Sequence, residues 1–433
     1  ARADDLTPPQ QPFCSVTRLG TALLVPANWS SPTRSRSALP IFTVATPVVS
    51  GPRFEIHVEG ECSSVVYDWK GASVAPPRND DFALVGALSI AMQRGGALHV
   101  RGRVDRRLLA NAEKFAELWS SYRPDLFRPV RLSADVELAA EAPREEEGYA
   151  FALSGGVDGL FALARNIAQG DGRTNRRPAA AFFMDWDDAL PISPAWAESL
   201  RRRTGRLASA FGLPHLVCTT NWRDFCRDFS IEHALGIIAA GHCLNGGFTG
   251  CVLAADHTHR NEVALGPWGN NHTSNPLLSS SIFETISFGG AFERLEKVRF
   301  LAKHPELVAD LAVCTRASGA ENCGICEKCI RTGLELFLAT GSPQPVLRAL
   351  PSPLSLITRK PLTPSSACFW QRIHANWPQE NPWIRSAISV WLLRSALQQT
   401  PLFKGLQSLE RRVSHWARGA RRPSPLHSES LAP

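Results

Sequence analysis

From Tyr149 to Ala254 the chain alternates short apolar runs with longer amphipathic ones, and few architectures accept that alternation. Tyr149-Ala150-Phe151-Ala152-Leu153, Ala179 to Met184, Leu216-Val217-Cys218 and Thr249 to Ala254 read as buried strands. Between them, Val157 to Gln169, Pro194 to Phe211 and Ile231 to Leu244 read as helices. Strands and helices in strict alternation predict an α/β fold, a parallel sheet with helices on both faces. The acidic, Pro-containing stretch from Glu141 to Glu147 reads as a linker in front of it, and Ser342-Pro343-Gln344-Pro345 closes it behind. The expected α/β domain therefore covers residues 145–341.

The flanks have a different texture. Residues 1–40 are rich in Pro, Ser and Thr and read as an irregular lead-in. Ile41 to Val44, Phe54 to Val58, Ser64 to Tyr67, Leu98 to Gly102 and Val130 to Leu132 look like strands, and Leu108 to Trp119 carries apolar residues at helical spacing. Residues 1–144 are thus expected to form a separate α+β domain with no visible catalytic motif. Residues 342–433 read as a basic, helical extension, with an amphipathic run from Ile384 to Trp416 interrupted at Pro401. The net charge of +7 resides in that extension: from Gly341 onward there are 12 Lys or Arg against 3 Glu. A helical pair laying its apolar stripe on the body, with arginines in water, accounts for it. RNA or an acidic partner held by Arg411, Arg412, Arg418, Arg421 and Arg422 is the alternative. No run approaches the length of a membrane span, and Ala1 to Leu6 lack the features of a secretory signal, so a cytoplasmic address is expected.

Two local motifs carry chemistry. Leu153-Ser154-Gly155-Gly156-Val157-Asp158-Gly159 lies between the first strand and first helix of the α/β segment, where parallel sheets bind ligands. Its glycines let backbone N–H groups approach an anion, and the helix start adds free amides and a positive dipole end. Asp158 would repel a phosphate, which suggests an intervening Mg²⁺. A tight turn without a ligand is the plainer alternative. The second motif is Cys314-x8-Cys323-x2-Cys326-x2-Cys329, four of the 11 cysteines. Four thiolates at this spacing can close a tetrahedral zinc site with no open position, hence a structural one; iron–sulfur ligation and catalytic thiols compete with that reading.

Ser154, Gly155, Gly156 and Asp158 resemble the Ser-Gly-Gly-x-Asp-Ser signature of the PP-loop ATP pyrophosphatases. The chain departs at the last position, where Gly159 stands in place of serine and removes one hydroxyl. With the cysteine cluster some 155 residues downstream, residues 149–340 are similar to 7-cyano-7-deazaguanine synthase. The resemblance implies an adenine nucleotide α-hydrolase-like fold with a zinc knuckle, bound ATP and Mg²⁺, and adenylation of a carboxylate followed by nitrogen transfer to an amide or nitrile. Ser154 and Asp158 would be catalytic; Ser154 to Gly159, Asp185 and Arg223 would bind ATP. The substrate would be a small-molecule or protein-borne carboxylate, with ammonia or an amine as nitrogen donor. Where that family reads its base, this chain has Pro267 to Pro276, which marks a divergent branch with Trp268, His272 and Asn275 as candidate substrate contacts.

Asp185, Asp187 and Asp188 follow the second strand, where the resemblance to PP-loop proteins implies the adenine or a metal; a solvated acidic turn is the alternative. Asp256-His257-Thr258-His259 and His272 read as an ordinary loop, as polar pocket lining or, more remotely, as a second metal site. An RNA-thiolating enzyme using Cys218, Cys226, Cys243 or Cys251, and a nucleotide-binding scaffold without turnover, are the rival functions.

Overall fold

The computed structural model describes residues 42–71, 74–141, 147–169, 174–186, 193–347 and 350–400. The lead-in, Asp187, Asp188 and the tail arginines from Arg411 onward lie outside these residues.

The elements begin with β1 (Phe42–Ser50), β2 (Arg53–Val58), β3 (Val65–Gly71), α1 (Asp81–Arg94), β4 (Gly96–Asp105), α2 (Arg106–Tyr122) and β5 (Val130–Leu138). The α/β segment follows: β6 (Tyr149–Ala152), α3 (Val157–Gln169), β7 (Pro178–Asp185), α4 (Pro194–Ala210), β8 (His215–Thr220), α5 (Phe229–His242), β9 (Gly250–Ala254), α6 (His259–Leu265) and β10 (Glu284–Phe288). The remaining helices are α7 (Arg294–Leu301), α8 (Pro305–Val308), α9 (Glu327–Thr340), α10 (Pro353–Ile357), α11 (Pro364–Asn376) and α12 (Pro382–Gln399).

The ten strands among the described residues form one sheet in the order β10-β9-β6-β7-β8-β3-β2-β1-β4-β5. The run from β10 to β8 is parallel throughout. β3 joins it antiparallel, from Tyr67 opposite Thr220 to Gly71 opposite Leu216. The strands expected to make a separate domain therefore continue the α/β sheet, and the seam is fastened beyond the strands. The Asn221 side chain donates to Ser64 O (2.9 Å) and accepts from Val66 N (2.8 Å), while Arg78 pairs with Glu147 (2.5 Å).

Residues alternate across the sheet, as strand geometry requires. Ala150, Phe182, Cys251 and Leu253 enter one buried core with α1, α2 and α5; Phe151, Ala181 and Val252 enter a second with α3, α4 and α7. Helices thus cover both faces. α1 is buried along one unbroken stretch from Asp81 to Met92, so it has no polar stripe to announce it. A third core lies behind α9, where Ile330 and Leu334 pack with Leu356, Trp370, Ile373, Ile388 and Trp391. The C-terminal helices up to Gln399 are docked by this apolar stripe. Among the described residues no helix is long and apolar enough to cross a membrane.

Candidate functional site

β6 has β7 on one side and β9 on the other, so the chain runs outward to β8 and then returns to build β9 and β10 on the opposite flank. The carboxyl end of β6 borders this switch point, the place where open parallel sheets leave a crevice. The glycine loop occupies it. Gly155 has φ 78°, its carbonyl accepts the Ala312 N–H at 2.8 Å, and a Cβ there would stand 3.1 Å from the Ala312 Cβ. Backbone conformation and close approach both demand glycine. Ala312 is two residues before Cys314, so the loop and the cysteine cluster are braced on the same segment. Gly159 lies one turn into the path of α3 over β6, and a Cβ there would come within 3.2 Å of the Ala152 carbonyl oxygen. The missing serine thus coincides with tight helix–strand packing.

The Asp158 carboxylate, which the sequence pairs with Mg²⁺, is met by protein cations on both oxygens. Lys297 Nζ lies 2.8 Å from Oδ1 and Arg294 Nη1 2.5 Å from Oδ2. Lys297 also donates to Ala255 O (2.7 Å), and Arg294 to Glu335 and Thr332 (3.1 Å each). Burial alone would raise the Asp158 pKa, but the charges of Lys297 and Arg294 outweigh it and hold the carboxyl at about 2. Burial also pushes Glu335 up and Arg331 down, the latter aided by the Arg294 charge.

Around the loop opens a cavity of about 920 Å³. Ser154, Gly156 and Asp158 of the loop line it, as do Asp185 and Trp186, Asp256, His257 and Trp268, and Thr315, Glu327, Lys328 and Arg331. Thr363 to Ser366 and Phe369 complete it from the start of α11. His257 Nε2 meets Ser365 Oγ at 2.9 Å and its ring stacks on Phe369 at 5.4 Å, while the Arg331 guanidinium lies 4.2 Å from the Phe369 ring centroid. The C-terminal extension is therefore part of the site.

The sequence-derived positions divide. Ser154, Gly156, Val157, Asp158, Gly159, Asp185 and Trp268 line the cavity. Asp185 is clamped by Arg201 (2.6 Å), and Trp268 donates to Asp256 (2.8 Å). Arg223 is not in the lining; its guanidinium sits 4.6 Å over Phe229. Asn275 is fully buried and ties Asn270 to Ser287 at 2.7 and 2.9 Å, supporting the wall from behind. His272 turns to Glu262 (3.0 Å), outside the cavity. Asp256 and His257, for which pocket lining was one expectation, do line the cavity, whereas Arg294, Lys297, Lys328, Arg331, Ser365 and Phe369 escaped sequence reasoning. They come in pairs from α7, α9 and α11, helices far apart in sequence with no recognisable motif at these positions.

The four cysteine sulfurs converge within 4.8 Å of one another, with Cys314 to Cys326 and Cys323 to Cys329 both at 3.9 Å. Tetrahedral zinc–thiolate bonds require sulfurs roughly 3.8 Å apart, so the set fits a metal such as zinc. The Arg316 and Cys326 amides donate to Cys314 and Cys323 sulfur at 3.3 Å, and buried Asn322 accepts from the amides of Val313 and Cys314. These bonds orient thiolates and offset their charge. Elsewhere, burial pushes up the thiols of Cys218, Cys226, Cys243 and Cys251, the last to about 12, and none of the four lines the cavity.

Compared with family models, with curated proteins and with solved structures, the chain finds no match in any of the three.

Proposed function

We propose that this protein activates a carboxylate with ATP and passes it to a nitrogen nucleophile. One observation carries the reading: the Ser154 to Gly159 loop lies at the sheet's switch point and opens onto a cavity of about 920 Å³, large enough for a nucleotide and a second reactant. In this reading the loop amides and the start of α3 receive the phosphates, with Lys328 and Arg331 facing them across the cavity. Asp158 keeps Lys297 and Arg294 in place beneath the loop, and Mg²⁺ arrives with the nucleotide. A carboxylate oxygen of the substrate attacks the α-phosphorus and pyrophosphate leaves. Ammonia or an amine then adds to the acyl carbon, expelling AMP and losing a proton, to give an amide. Where the donor is ammonia, the oxygen of the primary amide attacks the α-phosphorus of a second ATP with loss of pyrophosphate, and departure of AMP together with both N–H protons leaves a nitrile.

Catalysis of this kind rests on positioning and fixed charge, which suits a site built from backbone amides and locked cations. Trp268, His257 and Phe369 bring aromatic side chains into the cavity lining, which suits a planar acid. Zinc at Cys314, Cys323, Cys326 and Cys329 would be structural, fixing the Ala312 to Thr315 wall. Thiolation finds no support in the buried, high-pKa cysteines.

The test is pyrophosphate release from Mg-ATP with a panel of planar carboxylic acids and ammonium. Release that depends on both the acid and an intact Arg331, and falls at least roughly tenfold in Arg331→Met, is expected. ATP binding without any release at high protein concentration would leave a nucleotide-binding scaffold; absence of ATP binding at millimolar concentration would end the reading altogether.

A further inference from the structure

Outside the lining of this cavity, three side chains with metal-binding chemistry meet. His259 and Glu262, three residues apart and so on one face of α6, approach His272 from the following loop, with one ligand atom of each within 4.8 Å of the others. The imidazole centroids are only 3.9 Å apart, and His272 Nδ1 already lies 3.0 Å from Glu262 Oε1. The cluster is held by backbone. His259 N donates to Gly290 O (2.9 Å), and a Cβ on Gly290 would fall 2.2 Å from His272 Cε1 and 3.0 Å from His259 Cε1. Only glycine lets the two rings converge there. The Thr258 hydroxyl caps the start of α6 by accepting the Asn261 amide, and the Glu262 carboxylate also reaches the His272 amide at 3.3 Å.

We propose that His259, Glu262 and His272 form a second, thiolate-free site for a transition-metal dication of the zinc class. Two imidazoles and a carboxylate favour such an ion over Mg²⁺ or Ca²⁺, which prefer all-oxygen sets. Three protein ligands leave a coordination position open for water. His259 is exposed, and the Glu262 and His272 side chains keep 10% and 18% of their surface open, so an ion can enter from the His259 side. The site joins the two ends of the 259–272 segment. Between those ends Leu265, Pro267, Trp268 and Asn270 line the cavity. Metal binding therefore fastens one wall of the candidate active site, whatever that site turns over.

Cobalt(II) titration of the full chain tests this, because a thiolate site shows intense sulfur-to-cobalt charge-transfer absorption and a His/Glu site does not. Two cobalt ions per chain are expected, one with those bands and one without. His259→Ala, Glu262→Gln and His272→Ala should each weaken the second ion at least roughly tenfold while leaving the charge-transfer bands intact, which also reports that the chain is folded. Cys326→Ser should do the reverse. A wild-type chain lacking a cobalt ion without charge-transfer bands, or one that keeps that ion unchanged in His259→Ala and His272→Ala, overturns the proposal.

Discussion

At Asp158 one carboxylate balances two buried cations. Lys297 and Arg294 expose 2% and 9% of their side chains, so neither can turn to water if its partner is lost. Asp158→Asn should cost about 3 kcal/mol or more at neutral pH, the penalty of stranding buried charge. The pH dependence follows from direction. The folded pKa of about 2 lies below the ordinary value of 3.8, so the ionised carboxylate contributes stability above the unfolded pKa that is lost as pH falls through the folded one. Urea unfolding of the wild type should lose about 2 kcal/mol more than Asp158→Asn between roughly pH 5 and pH 2. Parallel loss in both proteins would show that the ion pairs do not hold this carboxyl down. The motif residue was legible because a strand–glycine–helix turn is local. Its partners lie 136 and 139 residues away on α7, in the stretch Arg294-Leu295-Glu296-Lys297, which reads in isolation as a charged helix surface. Only folding shows that its cations point inward.

Elements were legible in proportion to how far their pattern differed from their surroundings. β6 to β9 stood out as apolar runs between amphipathic helices, and the four cysteines declared a metal-binding geometry from spacing alone. α1 did not, because burial on every side leaves an apolar helix with no period to read. α9 was hidden behind the cysteine motif, although it carries Cys329, the cavity residue Arg331 and the seat for the C-terminal helices. This makes the cluster an element-scale brace: Cys314 extends from the loop-bound Ala312 segment, and Cys326 and Cys329 begin α9. Chelation of the metal, or Cys326→Ser, should lower the melting temperature by about 4 °C, as loss of about 3 kcal/mol does in a unit of this size. It should not unfold the chain, because the sheet has two cores of its own. Zinc analysis should find the loss stoichiometric with the change in melting temperature. An unchanged melting temperature after complete removal from this cluster would show that α9 is held by its apolar packing alone.

The whole molecule departs from any reading by segments, because its two halves share one sheet. β3 and β8 are some 150 residues apart, and nothing in either strand's alternation names the other as partner. The pairing is specified by what covers it: α1 packs on α5, the Trp222 indole donates to Gly86 O at 3.2 Å, and Gly86 is so close to β2 that a Cβ would stand 2.4 Å from Ile56 Cδ1. At Gly246 a Cβ would fall 2.0 Å from Pro76 O, so the second half also meets the first backbone to backbone. Separating the halves would expose the β3 and β8 edges together with Trp69, Cys218, Trp222 and Leu235, an area neither half can cover. A protease site introduced between Glu141 and Glu147 should therefore yield two fragments that remain together on gel filtration and unfold in one transition. Expressed alone, residues 147–433 should aggregate or bind hydrophobic dye, while co-expression with residues 1–141 should restore solubility. Independent elution of two stable fragments would mean that the continuous sheet is an abutment of two domains. The glycine loop would then be supported by the parallel strands β6 to β10 alone, with no mechanical debt to β1 to β5. Co-unfolding would instead assign the N-terminal half a definite role: its strands extend the platform, and α1 packs on α5, the helix from which Phe229, Ser230, His233 and Ile237 line the cavity.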